Sequence, residues 1–294
     1  MHIASFLHEQ RPGWGIVTER GIIVAERHGL PPSLIELLGD ASAQAPHLLS
    51  ELRAQTPSLR LDEVQLLAPI PRPRKNIICL GLNYLAHAQE SLAAKGTAMQ
   101  INEDPVVFTK NVTAVTGPYA DVMRDPRVTE QLDWEAELAV VIGRGGRFIE
   151  PAEALQHVFG YTVLNDLSAR DLQFRHKQYF LGKSLDGGCP MGPWIVTADE
   201  IPDPQTLNIA CRVNGVVKQH ANTSQQRFDV ATTIAILSRI MTLEPGDIIA
   251  TGTPEGVGFA RKPPEFLRPG DVVECEIERI GSIRNRIIGP RESA

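Results

Sequence analysis

Two glutamates one residue apart, Glu135 and Glu137, stand at the head of the run DWEAELAVVIG, residues 133–143. Side chains at i and i+2 of a strand leave the same face, with Cα atoms about 7 Å apart. A strand here would therefore present two carboxylates side by side. An isolated pair of this kind is ordinarily a solvated strand end. This pair leads into the apolar stretch 138–142, where adjacent like charges are destabilising unless a cation neutralises them. A third carboxylate, Asp166, closes the apolar run in FGYTVLNDLSARD, residues 159–171; it is also placed to cap a following helix. Three carboxylates suit a hard divalent ion, Mg²⁺ or Mn²⁺, with positions left for water and substrate. Neither segment holds a His or Cys, which disfavours zinc.

The segment GLNYLAHAQE, residues 81–90, follows apolar residues 76–80. Its helical propensity sets His87 and Glu90 at i and i+3 on one face. A carboxylate that fixes an imidazole tautomer and stabilises the imidazolium makes a general base; a surface His–Glu pair is the alternative. Lys183 lies in GKSLDGGCPMGPW, residues 182–194. A phosphate-binding loop would need glycine at position 177, which is lysine, and a helix where Gly and Pro follow. Lys183 reads instead as a point charge for a carboxylate or enolate, or as a solvated loop residue. The segment TGTPEGVG, residues 251–258, offers backbone N–H groups and hydroxyls to an anion, or is a plain Gly-rich connection.

These residues need a scaffold. Residues 3–7, 14–18 and 22–26 read as a small meander, followed by helices around 33–39 and 46–55. Three prolines within 68–74 can enter neither a helix nor a central strand and mark a boundary. We expect a small N-terminal α+β domain over 1–70 and a catalytic domain over 71–294. The second part reads as strands at 76–80, 105–109, 137–142, 160–164, 193–197, 207–213, 246–250 and 271–277, with helices at 83–94, 151–158 and 229–241. The last has Asp229 as N-cap and a stripe of Val230, Ile234, Leu237 and Met241. Asn214-Gly215 signals a hairpin. Strands outnumber helices without regular alternation, so the fold class is α+β, mostly β, with a mixed or antiparallel rolled sheet rather than a doubly wound one.

The 294-residue chain is ordinary in composition, 43% hydrophobic and 22% charged, and large enough for a sizeable core. A net charge of −6 and only 5% aromatics argue against nucleic-acid partners. Four cysteines without CxxC spacing read as scattered thiols in a reducing compartment. No apolar stretch approaches the roughly 20 residues that span a bilayer, and the first residues lack signal-peptide features. We expect a cytoplasmic location.

Taken together, these segments resemble the fumarylacetoacetate hydrolase family over most of 72–288. The likeness rests on GLNYxxHAxE, FxK at 108–110, ExE, NDxSARDxQ, GKSxDxxCPxGPW, TGTPxGVG and GDxVExEI in that order. It implies a β-roll catalytic domain, Mg²⁺ or Mn²⁺, and a homodimer acting on a 2-keto acid. It also implies that Glu135, Glu137 and Asp166 hold the metal and that His87 and Glu90 form a catalytic dyad on a segment, expected over 87–104, that often acts as a lid. Lys183 takes the place of the active-site lysine, and Arg170, Gln173, Thr253 and Lys110 line the substrate site. Many members carry proline after that lysine; this chain has Asn111. The activity implied is cleavage of a C–C bond in an acylpyruvate-like 2,4-diketo acid through an enolate. Decarboxylation of an oxaloacetate-type acid and hydroxymuconate-type isomerisation pass through the same enolate and stand as alternatives.

Overall fold

The computed structural model describes residues 1–40, 44–94, 96 and 103–290. Its centre is the strand Ala136–Ile142, every residue of which is buried. A strand apolar on both faces must be covered on both, and alternation assigns each residue its own core. Leu138, Val140 and Ile142 point into one cluster with Ile209, Cys211, Val273 and Cys275 of a second sheet. Ala139 and Val141 point the other way, to Leu34, Leu37 and Leu49 of the N-terminal helices Leu34–Asp40 and Ala45–Arg53.

The central strand pairs antiparallel with Val158–Asn165 on one side and Ile248–Ala250 on the other. Outward from Val158–Asn165 comes Cys189–Thr197. Outward from Ile248–Ala250 come Ile77–Gly81, in parallel, and then Val106–Lys110. The meander His2–His8, Arg11–Thr18 and Gly21–Val24 extends the same sheet, because His2 and Ile3 pair with Val196 and Ile195. Eleven strands result, facing a five-stranded sheet that contains the hairpin Asn208–Val213/Val216–Asn222. The fold is mostly β, with mixed sheets and a few outer helices.

Some elements differ from the sequence reading. The helix expected over 151–158 is Pro151–Ala154 plus a 3₁₀ turn, and Val158 already belongs to a strand. There Gly160 lets the neighbouring backbone approach, since a Cβ would lie 2.3 Å from the Val196 carbonyl oxygen. Asp229 does cap the helix Val230–Ile240 by accepting from the Thr232 N–H at 2.6 Å. Met241 lies past its end in extended conformation and is exposed rather than part of the buried stripe. Lys183 ends a short helix, Phe180–Lys183, instead of standing in an open loop. The expected lid over 87–104 falls partly on residues 95 and 97–102, which lie outside the described residues.

Candidate active site

Glu135, Glu137 and Asp166 converge: one oxygen from each lies within 4.8 Å of the others, and all three are buried. Glu135 and Glu137 flank Ala136 at the start of the central strand, and Asp166 follows the strand Val158–Asn165 paired with it. The Asp166 N–H donates to the Glu135 carbonyl at 2.8 Å, so ladder register brings residues about thirty apart to one point. Lys183 Nζ donates to Glu135 Oε2 at 2.6 Å and to Asp166 Oδ2 at 2.7 Å. Arg170 donates to Glu135 Oε1, Asp133 Oδ2 and Gln173 Oε1. Lys110 is fully buried behind Asp166, donating to its Oδ1 at 2.6 Å and to the Leu167 carbonyl. It does not line the cleft, unlike Arg170, Gln173 and Thr253. Asn111 has a use that proline would lack, since its N–H donates to Ser184 Oγ beside Lys183.

Four buried carboxylates, Asp133, Glu135, Glu137 and Asp166, thus face three buried cations, Lys110, Arg170 and Lys183. Burial raises the Glu135 carboxyl, but Lys183, Arg170 and His87 outweigh it and hold it at about 2. Glu137 has no such partner. Burial, then the charges of Asp166 and Glu135, push it well above the usual carboxylate range. Its one hydrogen bond among the described residues is from the Gly252 N–H to Oε2, at 2.8 Å. The excess negative charge and a hard oxygen donor set fit a divalent ion of the Mg²⁺ or Mn²⁺ kind.

The helix Leu85–Ala94 brings His87 to this cluster. The turn before it is tied down by Asn83, whose Nδ2 donates to the Phe228 and Thr251 carbonyls while Oδ1 accepts from the Phe228 N–H. His87 is buried and lines the cleft. Its Nδ1 lies 3.0 Å from Glu90 Oε1, which assigns the proton to Nδ1 and leaves Nε2 as the basic face. Both Glu90 oxygens accept from the Gly256 N–H at 3.0 Å. Gly256 has φ +99°, and a Cβ there would lie 2.1 Å from the Lys218 carbonyl oxygen. Gly256→Ala is therefore expected to cost about 1–3 kcal/mol, read from the urea midpoint, and to loosen the hold on Glu90.

Three positioning groups escaped the sequence reading. Asp133 accepts from the Gly258 and Phe259 N–H groups as well as from Arg170. Gln219 accepts from the Ala136 N–H between the two glutamates and donates to Thr253 Oγ1 and the Pro254 carbonyl. Asn165 Oδ1 accepts from the Glu135 N–H. A signal existed for Asp133, because 133, 135 and 137 share one strand alternation. Asn165 heads the NDxSARDxQ string but was given no role there, and Gln219 carried no signal.

The resulting cleft is narrow and is walled by Phe108, Phe174, Tyr179 and Phe259 around the charged groups. Glu135, Glu137 and Asp166 thus form a buried three-carboxylate cluster able to hold a metal ion, with His87 on the same cleft. The chain belongs to the fumarylacetoacetate hydrolase family: the model described as fumarylacetoacetate (FAA) hydrolase C-terminal matches residues 76–288. A model described as Rv2993c-like, N-terminal matches residues 1–69. Oxaloacetate tautomerase YisK of Bacillus subtilis is 47% identical over 270 residues, covering 89% of this chain and 88% of that protein. The solved fumarylacetoacetate hydrolase from Exiguobacterium antarcticum is 39% identical with a TM-score of 0.82, covering 99% and 100% of the two chains. Maleylpyruvate hydrolase from Sphingobium sp. SYK-6, solved with manganese (II) and pyruvate, is 30% identical with a TM-score of 0.79 over 99% and 100%.

Proposed function

We propose that this enzyme interconverts the enol and keto forms of a short 2-oxo dicarboxylic acid of the oxaloacetate type. The observation that carries the reading is the basic Nε2 face of His87, oriented by Glu90, in a small cleft with the three-carboxylate cluster. Likeness to the Bacillus subtilis tautomerase supports proton transfer over the C–C hydrolysis expected from the sequence.

Glu135, Glu137 and Asp166 would hold Mg²⁺ or Mn²⁺, which as a Lewis acid polarises the 2-oxo group. His87 Nε2 takes a proton from C3. The C–H electron pair becomes the C2–C3 double bond, the carbonyl π pair moves to the oxygen, and the His87 imidazolium gives the proton it took to that oxygen, which restores the neutral base. The reverse sequence returns the keto form. Lys183 keeps a third proton beyond its two carboxylate bonds, and burial does not neutralise it, because Asp166 and Glu135 hold its pKa above the ordinary value. It can face the developing oxyanion. Gln173 and Thr253 contact the substrate, and Arg170 sets the Gln173 amide.

Hydrolysis of an acylpyruvate is the second reading, supported by likeness to the maleylpyruvate hydrolase; His87 would then deprotonate water. Mixing purified enzyme and Mg²⁺ with enol-oxaloacetate and with acylpyruvates decides between them. Rapid loss of enol absorbance without release of pyruvate or carbon dioxide is expected. Pyruvate release with no effect on the enol would reverse the assignment.

The same reading places the enzyme in the cytoplasm, whose reducing conditions suit four buried free cysteines, and divides the chain at residue 70. It also keeps a homodimer, to be checked by sedimentation.

A further inference from the structure

Ser91 lies one turn after His87 on the helix Leu85–Ala94 and is 2% exposed. A helical serine commonly returns its hydroxyl to the carbonyl four residues earlier. Ser91 does not: its Oγ is buried and has no hydrogen-bond partner among the described residues. Buried polar atoms are satisfied in the great majority of cases, and this one lines the cleft with His87, Gln173 and Lys183. An unsatisfied hydroxyl on the wall of a ligand cleft marks the place of a ligand atom.

Elimination indicates which atom. In the proposed reaction the metal held by the carboxylate cluster, together with Lys183, serves the C1 and C2 oxygens, and His87 serves C3. Ser91, one helical turn (about 5.4 Å along the axis) beyond His87 on the same cleft wall, is left for the oxygens at C4. Gln173 gives its Oε1 to Arg170, so its amide N–H groups remain donors for the ligand. Arg170 itself is committed to Asp133, Glu135 and Gln173. A hydroxyl and an amide, both donors and both uncharged, are left for an acceptor.

We propose that Ser91 Oγ donates a hydrogen bond to the distal carboxylate of the substrate and thereby selects dicarboxylic over monocarboxylic 2-oxo acids. The inference rests on the reading of the site as one for 2-oxo dicarboxylic acids. Calorimetric titration of the Mg²⁺-loaded protein with oxaloacetate and with 2-oxobutyrate, which has a methyl group in place of the distal carboxylate, tests it. Ser91→Ala should weaken oxaloacetate about tenfold or more, the worth of a bond to a charged acceptor, and leave 2-oxobutyrate unchanged. Ser91→Thr, which keeps the hydroxyl, should restore most of the difference. Equal loss for both ligands, or none for oxaloacetate, overturns the role of Ser91 while leaving the tautomerase reading in place. Wild-type protein that binds oxaloacetate no better than 2-oxobutyrate overturns both the dicarboxylate reading and this inference.

Discussion

Glu137→Gln is expected to weaken Mg²⁺ binding by more than about 100-fold, beyond the usual worth of a group that only orients a ligand. Turnover should fall with it, yet the metal-free variant should melt no lower than wild type. The two halves of this expectation have one cause. Glu137 is the only member of the triad without an ammonium or guanidinium partner among the described residues, and Asp166 and Glu135 repel it. Glutamine keeps the shape and can accept the Gly252 N–H while removing the repelled charge. Asp166→Asn should behave differently, because Lys110 and Lys183 would both lose a buried counter-charge. Breaking a buried pair from one side costs about 3–5 kcal/mol. Calorimetric titration with Mg²⁺ and scanning calorimetry of the metal-free proteins separate the cases. Unchanged Mg²⁺ affinity in Glu137→Gln would mean the ion sits elsewhere. A markedly lowered melting temperature in its metal-free form would refute the excess-charge account of the cluster.

The acidic pair was legible in the sequence because two local rules agreed. Alternation put Glu135 and Glu137 together, and the apolar residues after them demanded a covered strand. His87 and Glu90 were legible for the same reason, since i, i+3 spacing is a helix property that needs no tertiary knowledge. Their surroundings were not readable in this way. Gln219 reaches Ala136 across 83 positions and Thr253 across 34, and nothing local distinguishes it from a surface glutamine on an edge strand. Lys110 and Lys183 illustrate the limit more sharply. Both stood beside recognisable strings, but only the sheet order puts the strand ending at Lys110 behind Asp166 and Lys183 in front of the cleft. The N-terminal meander was recognised as strands. That it continues the sheet of the second part depends on pairing between His2–Ile3 and Ile195–Val196, for which the sequence offers no register signal. The short helices Arg170–Arg175 and Phe180–Lys183 span too few turns for periodicity to show.

His87→Ala should lower kcat for enol-oxaloacetate by about 10²–10⁴-fold, the usual worth of a positioned acid–base group. KM should change little, because the proposed substrate contacts belong to the carboxylate cluster, Gln173, Thr253 and Ser91. Mg²⁺ affinity should also hold, since His87 is not among the carboxylates of the triad. Glu90→Gln is expected to give a smaller loss, about 10–100-fold, by withdrawing the charge that orients and stabilises the imidazolium. Its amide oxygen can still accept the Gly256 N–H, so the helix should stay docked, and an unchanged urea midpoint would show this. Gly256→Ala attacks the same contact from the other side and should lower stability as well as kcat. The pattern across the three variants is the test. A kcat loss in Glu90→Gln as large as in His87→Ala, with stability intact, would mean that the carboxylate itself carries the proton. Near-wild-type enol conversion in His87→Ala would remove the imidazole from the reaction and with it the proposed tautomerase mechanism. If pyruvate release from an acylpyruvate also vanished in that variant, His87 would instead be activating water, and the hydrolase reading would take its place.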